Sequence, residues 1–113
     1  MLVVTLQRPT YFVLASLMDG PLHGYGILGR VEELSGGSLR LAVGTLYGAL
    51  DRLSEAGFVE PDRVERVEGR TRRYYRLTEE GRRRLGIEAV AMAEAARVVT
   101  DRLPRDLALE TGQ

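Results

Sequence analysis

The segment Arg70-Thr71-Arg72-Arg73-Tyr74-Tyr75-Arg76-Leu77 constrains this chain more than any other stretch. It holds four arginines and two tyrosines and no acid. Glu68-Gly69 before it reads as a tight turn, and Thr78-Glu79-Glu80 after it reads as a helix start. In between, Arg73, Tyr75 and Leu77 share one face of a strand and Arg72, Tyr74 and Arg76 share the other. One tyrosine, Tyr74 or Tyr75, belongs to the core on the inward side. Phe58-Val59-Glu60, interrupted near Pro61-Asp62 and resumed at Arg63–Val67, supplies the outgoing strand. The chain must therefore build a cationic hairpin that runs straight into a helix.

The rest of the chain reads as helices around that hairpin. A first helix is expected from Pro9 or Thr10 to Asp19-Gly20-Pro21, with Phe12, Val13, Leu14, Leu17 and Met18 buried. A second spans His23 to Leu34, where Tyr25, Leu28, Val31 and Leu34 repeat at a spacing of three beside Ile27. Ser35-Gly36-Gly37-Ser38 ends it. Leu39-Arg40-Leu41 reads as a short strand able to pair with the hairpin. A third helix starts near Val43 or Gly44, buries Leu46, Ala49, Leu50 and Leu53, and stops at Ala56 with Gly57 as a left-handed cap. The fourth runs from Glu79 to about Leu103, before Pro104. Its residues Leu85, Ala89, Met92, Ala96, Val99 and Leu103 are spaced as a heptad stripe. Helix, helix, helix, hairpin, long helix is the order of a winged helix-turn-helix domain, residues 1–78, followed by a dimerisation helix and tail, residues 79–113. The fold class is mainly α with a β-hairpin wing. Met1–Thr5 is expected to be an arm or a first turn against a partner.

Charge distribution separates this chain from an ordinary neutral protein. Net charge is zero, yet residues 1–62 carry −3, residues 63–84 carry +5 and residues 85–113 carry −2. A local positive block on a neutral chain is an electrostatic footprint for an anionic partner. All sixteen basic residues are arginine, whose planar fork suits phosphates and narrow minor grooves. The absence of cysteine excludes disulfides and thiolate metal sites and fits a cytoplasmic protein. No apolar run reaches membrane-spanning length. His23 is the single histidine. Neither a metal site nor a nucleophile with its base can be assembled around it, so it reads as a helix-start residue packing locally. No catalytic constellation, phosphate loop or cofactor motif is present.

Four blocks together resemble the PadR-type transcriptional regulators. They are Pro21-Leu22-His23-Gly24-Tyr25-Gly26-Ile27, Gly44-Thr45-Leu46-Tyr47-Gly48-Ala49-Leu50-Asp51-Arg52-Leu53, Glu55-Ala56-Gly57-Phe58-Val59-Glu60 and Arg72-Arg73-Tyr74-Tyr75-Arg76-Leu77-Thr78-Glu79-Glu80-Gly81. The resemblance covers about residues 10–85 and is similar to the short subgroup with one C-terminal dimerisation helix. It implies a homodimeric repressor of a palindromic operator on double-stranded DNA, not an enzyme. By analogy it also implies a small hydrophobic effector near the fourth-helix interface. Gly44 and Gly48 depart from the residues many relatives carry there. The tryptophan stacking used by multidrug-sensing members has no counterpart, since the chain lacks Trp.

The DNA-binding candidates follow. On the third helix, Gly44, Thr45, Tyr47, Gly48 and Arg52 face away from the buried stripe and are free to enter a major groove. Asp51 on the same face would pair with Arg52 or a wing arginine. Arg70, Arg72 and Arg73 near the hairpin tip would hold phosphates or enter a minor groove, whereas Arg76 reads as structural. Tyr25 matches a family position near the DNA backbone, with packing between helices as the competing role. Arg82, Arg83 and Arg84 either flank the wing or pair with Glu79, Glu80 and Glu88. Leu85, Ala89, Met92, Ala96, Val99 and Leu103 are the dimerisation candidates. The different-class alternative is a winged-helix protein-interaction module with only non-specific DNA affinity and an acidic partner.

Overall fold

A computed structural model of the chain describes residues 6–106. The arm expected at Met1–Thr5 lies outside the described residues. Helix α1 is Arg8–Ser16, with Pro9 in its first turn where no amide hydrogen bond is lost. It ends sooner than the Gly-Pro signal suggests. The buried Ser16 hydroxyl turns back and donates to the Val13 carbonyl at 2.6 Å, a bond that competes with continued helix. Leu17 still reaches the core, but Met18, expected inside, is exposed.

Strand β1 is only Leu22–His23, and it leads directly into helix α2, Gly24–Leu34. The buried line of α2 is Gly24, Ile27 and Val31, not the run by threes from Tyr25 to Leu34. Successive steps of three fall about 60° short of a full turn, so such a run winds off any one face. Tyr25, 71% exposed, and Leu34 mark its two ends. Helix α3, Val43–Glu55, buries Leu46, Ala49, Leu50 and Leu53, the four residues expected. Its end is a Schellman cap: Phe58 N–H donates to the Leu53 carbonyl at 2.9 Å and Gly57 N–H to that of Ser54 at 3.1 Å. Gly57 has φ +83°, which a Cβ would disfavour.

Strands β2, Val59–Val67, and β3, Arg70–Leu77, form the hairpin. Glu68 and Gly69 close it, both with positive φ, the geometry of a two-residue primed turn. Pro61 does not break β2. The ladder continues through one extra residue between Pro61 and Val64, a bulge that accommodates the missing amide. The third strand of the sheet is β1, giving the order β1-β3-β2. The strand expected at Leu39–Leu41 does not form. Leu39 and Leu41 instead pack on the core from a loop.

Helix α4, Glu79–Thr100, is capped by Thr78, whose hydroxyl accepts from Gly81 N–H at 2.9 Å and donates to the Gly57 carbonyl at 2.6 Å. Gly81 lies directly against the Phe58 carbonyl, where a Cβ would overlap it. Every helix and β2 contribute to one core of Val13, Leu14, Leu17, Ile27, Val31, Leu46, Leu50, Leu53, Val59 and Leu85. Each fully buried aliphatic side chain there stabilises the fold by about 1.5–3 kcal/mol. Leu85, expected in the dimerisation stripe, is 4% exposed within this core. From Val90 to Thr100 α4 is solvent-exposed throughout. No helix among the described residues is long and apolar enough to cross a membrane.

Candidate nucleic-acid interface

Because α3 buries a single stripe, its opposite face is left at the surface. Gly44, Thr45, Tyr47, Asp51 and Arg52 are exposed and Gly48 is half-buried. Among the described residues nothing approaches the open side of Gly44, and the one group near Gly48 is the Arg52 guanidinium, 3.6 Å from where a Cβ would stand. Internal packing therefore does not explain a glycine at either position. Asp51 makes none of the expected pairs with Arg52 or a wing arginine.

Except for Gly44 and Gly48, which line neither, the predicted residues divide between two grooves. A cleft of about 290 Å³ is lined by His23, Gly24, Tyr25, Tyr47, Arg70, Thr71, Arg72 and Arg73. It unites the tyrosines of α2 and α3 with the three arginines expected to hold phosphate. The Tyr47 side chain reaches Gly24, where a Cβ would stand 2.5 Å from its hydroxyl. Thr45 and Arg52 face the second groove, with Gln7, Pro9, Thr10 and Leu41. The high exposure of Tyr25 settles its competing role, since it is not packed between helices.

The two faces of the hairpin differ electrically. Tyr75 is the inward tyrosine, packed against the core; burial first, then the neighbouring Tyr47, push its hydroxyl above its ordinary range. On the outer face Arg76 pairs with Glu60 at 2.7 Å and Asp62 at 3.1 Å. Arg63 pairs with Asp62 at 3.1 Å and Glu65 at 3.0 Å, and its guanidinium stacks 3.9 Å from the Tyr74 ring centre. The Arg63 hydrogen bond, and after it the Tyr74 hydroxyl, hold the Glu65 carboxyl below the usual range. The three acids of β2, Glu60, Asp62 and Glu65, are thus engaged. The side chains of Arg66, Arg70, Arg72 and Arg73 make no salt bridge or hydrogen bond among the described residues. The cluster at the start of α4 resolves as pairs: Arg83 with Glu80 at 2.6 Å and Arg84 with Glu88 at 3.1 Å, while Arg82 reaches the Met18 carbonyl at 3.4 Å.

His23, expected only to pack locally at the helix start, and Thr71 line the cleft without being among the DNA-binding candidates. Residue 23 pairs with Tyr74 across the sheet, and its ring lies 5.2 Å from that of Tyr74 at a 54° tilt. Burial first, then Arg72, lower its pKa below 6.5, against an opposing pull from Glu65. Its adjacency to Tyr25, already a candidate, was the available signal.

Residues 13–87 match the family model for the transcriptional regulator PadR-like family. An uncharacterized protein in transposon TN4556 of Streptomyces fradiae is 43% identical over 96 residues, which cover 84% of this chain. The chain spans only 26% of that relative's length. Transcriptional regulator Rv3488 of Mycobacterium tuberculosis is 40% identical over 88 residues, 77% of this chain and 78% of that protein. Among solved structures, Bacillus subtilis PadR in complex with operator DNA superposes with a TM-score of 0.60 at 27% identity, over 71% of this chain and 46% of that one.

Proposed function

The chain belongs to the PadR-like family of DNA-binding transcriptional regulators, and from that premise we propose that it is a homodimeric repressor of a palindromic operator. It is a regulator and not an enzyme. In this reading residues 1–78 read DNA and residues 79–113 hold the dimer. Each α3 enters a major groove through Gly44, Thr45, Tyr47, Gly48 and Arg52. The two half-sites lie about one helical turn apart. Arg70, Arg72 and Arg73 grip the flanking backbone, with Tyr25 beside them.

One observation carries this reading: three arginines without acidic partners converge with Tyr25 and Tyr47 on a cleft beside the exposed face of α3. The operator complex of the Bacillus subtilis relative supports it. The two bare glycines of α3 also support it, since a close-lying DNA backbone accounts for them where internal packing does not.

Dimerisation is assigned to Ala89, Met92, Ala96, Val99 and Leu103, with Leu85 left to the subunit core. Met92 and Val99 are 46% and 58% exposed. Ile87, Val90 and Val98, near the opposite side of α4, are exposed as well. A helix apolar on two sides calls for partner surface on both. A small hydrophobic effector seated against Met92 at that interface would change the wing-to-wing distance.

Footprinting upstream of the protein's own coding region is the test. A protected dyad is the expected result. Binding that ignores sequence and disappears with salt would instead favour a protein-interaction module. The effector is abandoned if no ligand alters DNA affinity.

A further inference from the structure

Resting on the reading of this cleft as the DNA-facing side, we propose that His23 is itself a backbone contact, its imidazole donating a hydrogen bond to a phosphate oxygen held among the wing arginines. The position is built for it. His23 sits at the junction of β1 and α2, on the wall of the cleft that Arg70, Arg72 and Arg73 also line. Its backbone is fixed by pairing with β3, and its ring by Tyr74. Its side chain does not cap α2, and no described group hydrogen-bonds to either ring nitrogen. A ring N–H is therefore not committed to a partner among the described residues.

The surroundings determine what contact does to the ring. Tyr25 of α2, Tyr47 of α3 and Arg70 and Arg73 of β3 line the same cleft. Tyr74 lies against the ring, Arg72 of β3 and Glu65 of β2 act on its charge, and Arg63 lies over the Tyr74 ring. Glu65 is already held by Arg63. In the free chain burial and Arg72 therefore favour neutral imidazole. A phosphodiester bound here adds a negative charge beside both Arg72 and His23, which reverses the Arg72 effect. Binding then takes up one proton from solvent at His23. A pKa higher in the complex than in the free chain makes binding tighten as pH falls, by up to about tenfold per pH unit between the two values.

A single histidine makes the test direct. Two fluorescent duplexes are titrated by anisotropy at pH 8 and pH 6 over a salt series, one from upstream of the coding region and one scrambled. The wild type is expected to bind both roughly threefold to tenfold more tightly at pH 6. Its log affinity against log salt should steepen by about 0.9, the signature of one added phosphate contact. His23→Gln, which cannot gain a proton in this range, should show neither change. Independently, the imidazole resonance of the wild type should titrate at higher pH with saturating duplex than without. An unmoved titration, or a pH response retained in His23→Gln, overturns the proposal. Failure of the wild type to bind either duplex at pH 8 in low salt overturns the DNA reading itself.

Discussion

Arg72 and Arg76 share one face of β3, yet their surroundings are opposite. Arg76 is clamped by Glu60 and Asp62, whereas Arg72 stands across from Glu65, an acid already taken by Arg63. Changing either to Gln should therefore have different consequences. Arg72→Gln, like Arg70→Gln or Arg73→Gln, is expected to weaken binding to all duplexes and to flatten the salt slope by about 0.9, as losing one phosphate contact does. Arg76→Gln should leave that slope unchanged, because its charge is spent on the wing. Salt-dependent anisotropy distinguishes them. Gly24→Ala tests the cleft from the other side: a methyl would crowd Tyr47 and should weaken DNA binding while circular dichroism stays as in the wild type. Glu68 carries a φ of +52° that a non-glycine residue adopts at a cost. Glu68→Asn, giving Asn-Gly in the turn, should raise stability by roughly 0.5–1 kcal/mol in a thermal melt.

Among the elements, α3 depends most on its terminus, because the chain must reverse at Gly57 to start β2. Gly57→Ala would place a Cβ in the left-handed region and should cost about 1–2 kcal/mol of unfolding free energy in denaturant titration. This helix was legible in the sequence, since one buried stripe and one glycine cap define it. The wing was legible for a similar reason: a two-residue turn sets the register and every side chain then follows by alternation. Strand β1 was not, because a two-residue pairing leaves no period to read. Its sequence, Leu22-His23, becomes a strand only because β3 lies alongside. On α2 the expected face includes the buried Ile27 and Val31, but these are four apart, so the spacing of three that adds Tyr25 and Leu34 does not describe the buried line. Met18 was misplaced because nothing in the pattern shows that Ser16 will turn its hydroxyl back on the helix. The grouping of the candidate site into two grooves was equally hidden, since Thr45 and Tyr47 are neighbours in sequence but face opposite sides of α3. Composition identified which residues carry charge. Only the fold revealed which arginines keep it available.

The whole molecule is elongated, 57 × 35 × 22 Å, and α4 serves different ends of it. Its first turns belong to the core through Leu85, and its remainder offers apolar surface. Leu85→Ala should lower stability by about 2–5 kcal/mol. Met92→Glu combined with Val99→Glu should leave the subunit folded but reduce it to a monomer in sedimentation analysis, with DNA affinity falling as the second half-site is lost. If that double variant sediments as the wild type does, self-association through α4 is refuted. Between the two ends lies the joint where Thr78 bonds to Gly57 and Gly81 sits against Phe58. The helix that ends at that joint is α3, and the helix that begins there is α4. No loop separates them in space, although the entire wing separates them in sequence. Two hydrogen bonds from Thr78, to the Gly57 and Phe58 carbonyls, tie the joint, so a tilt of one shaft is expected to reach the other. A lesion there, such as Thr78→Ala, is expected to leave each shaft able to do its own task and to uncouple them from one another.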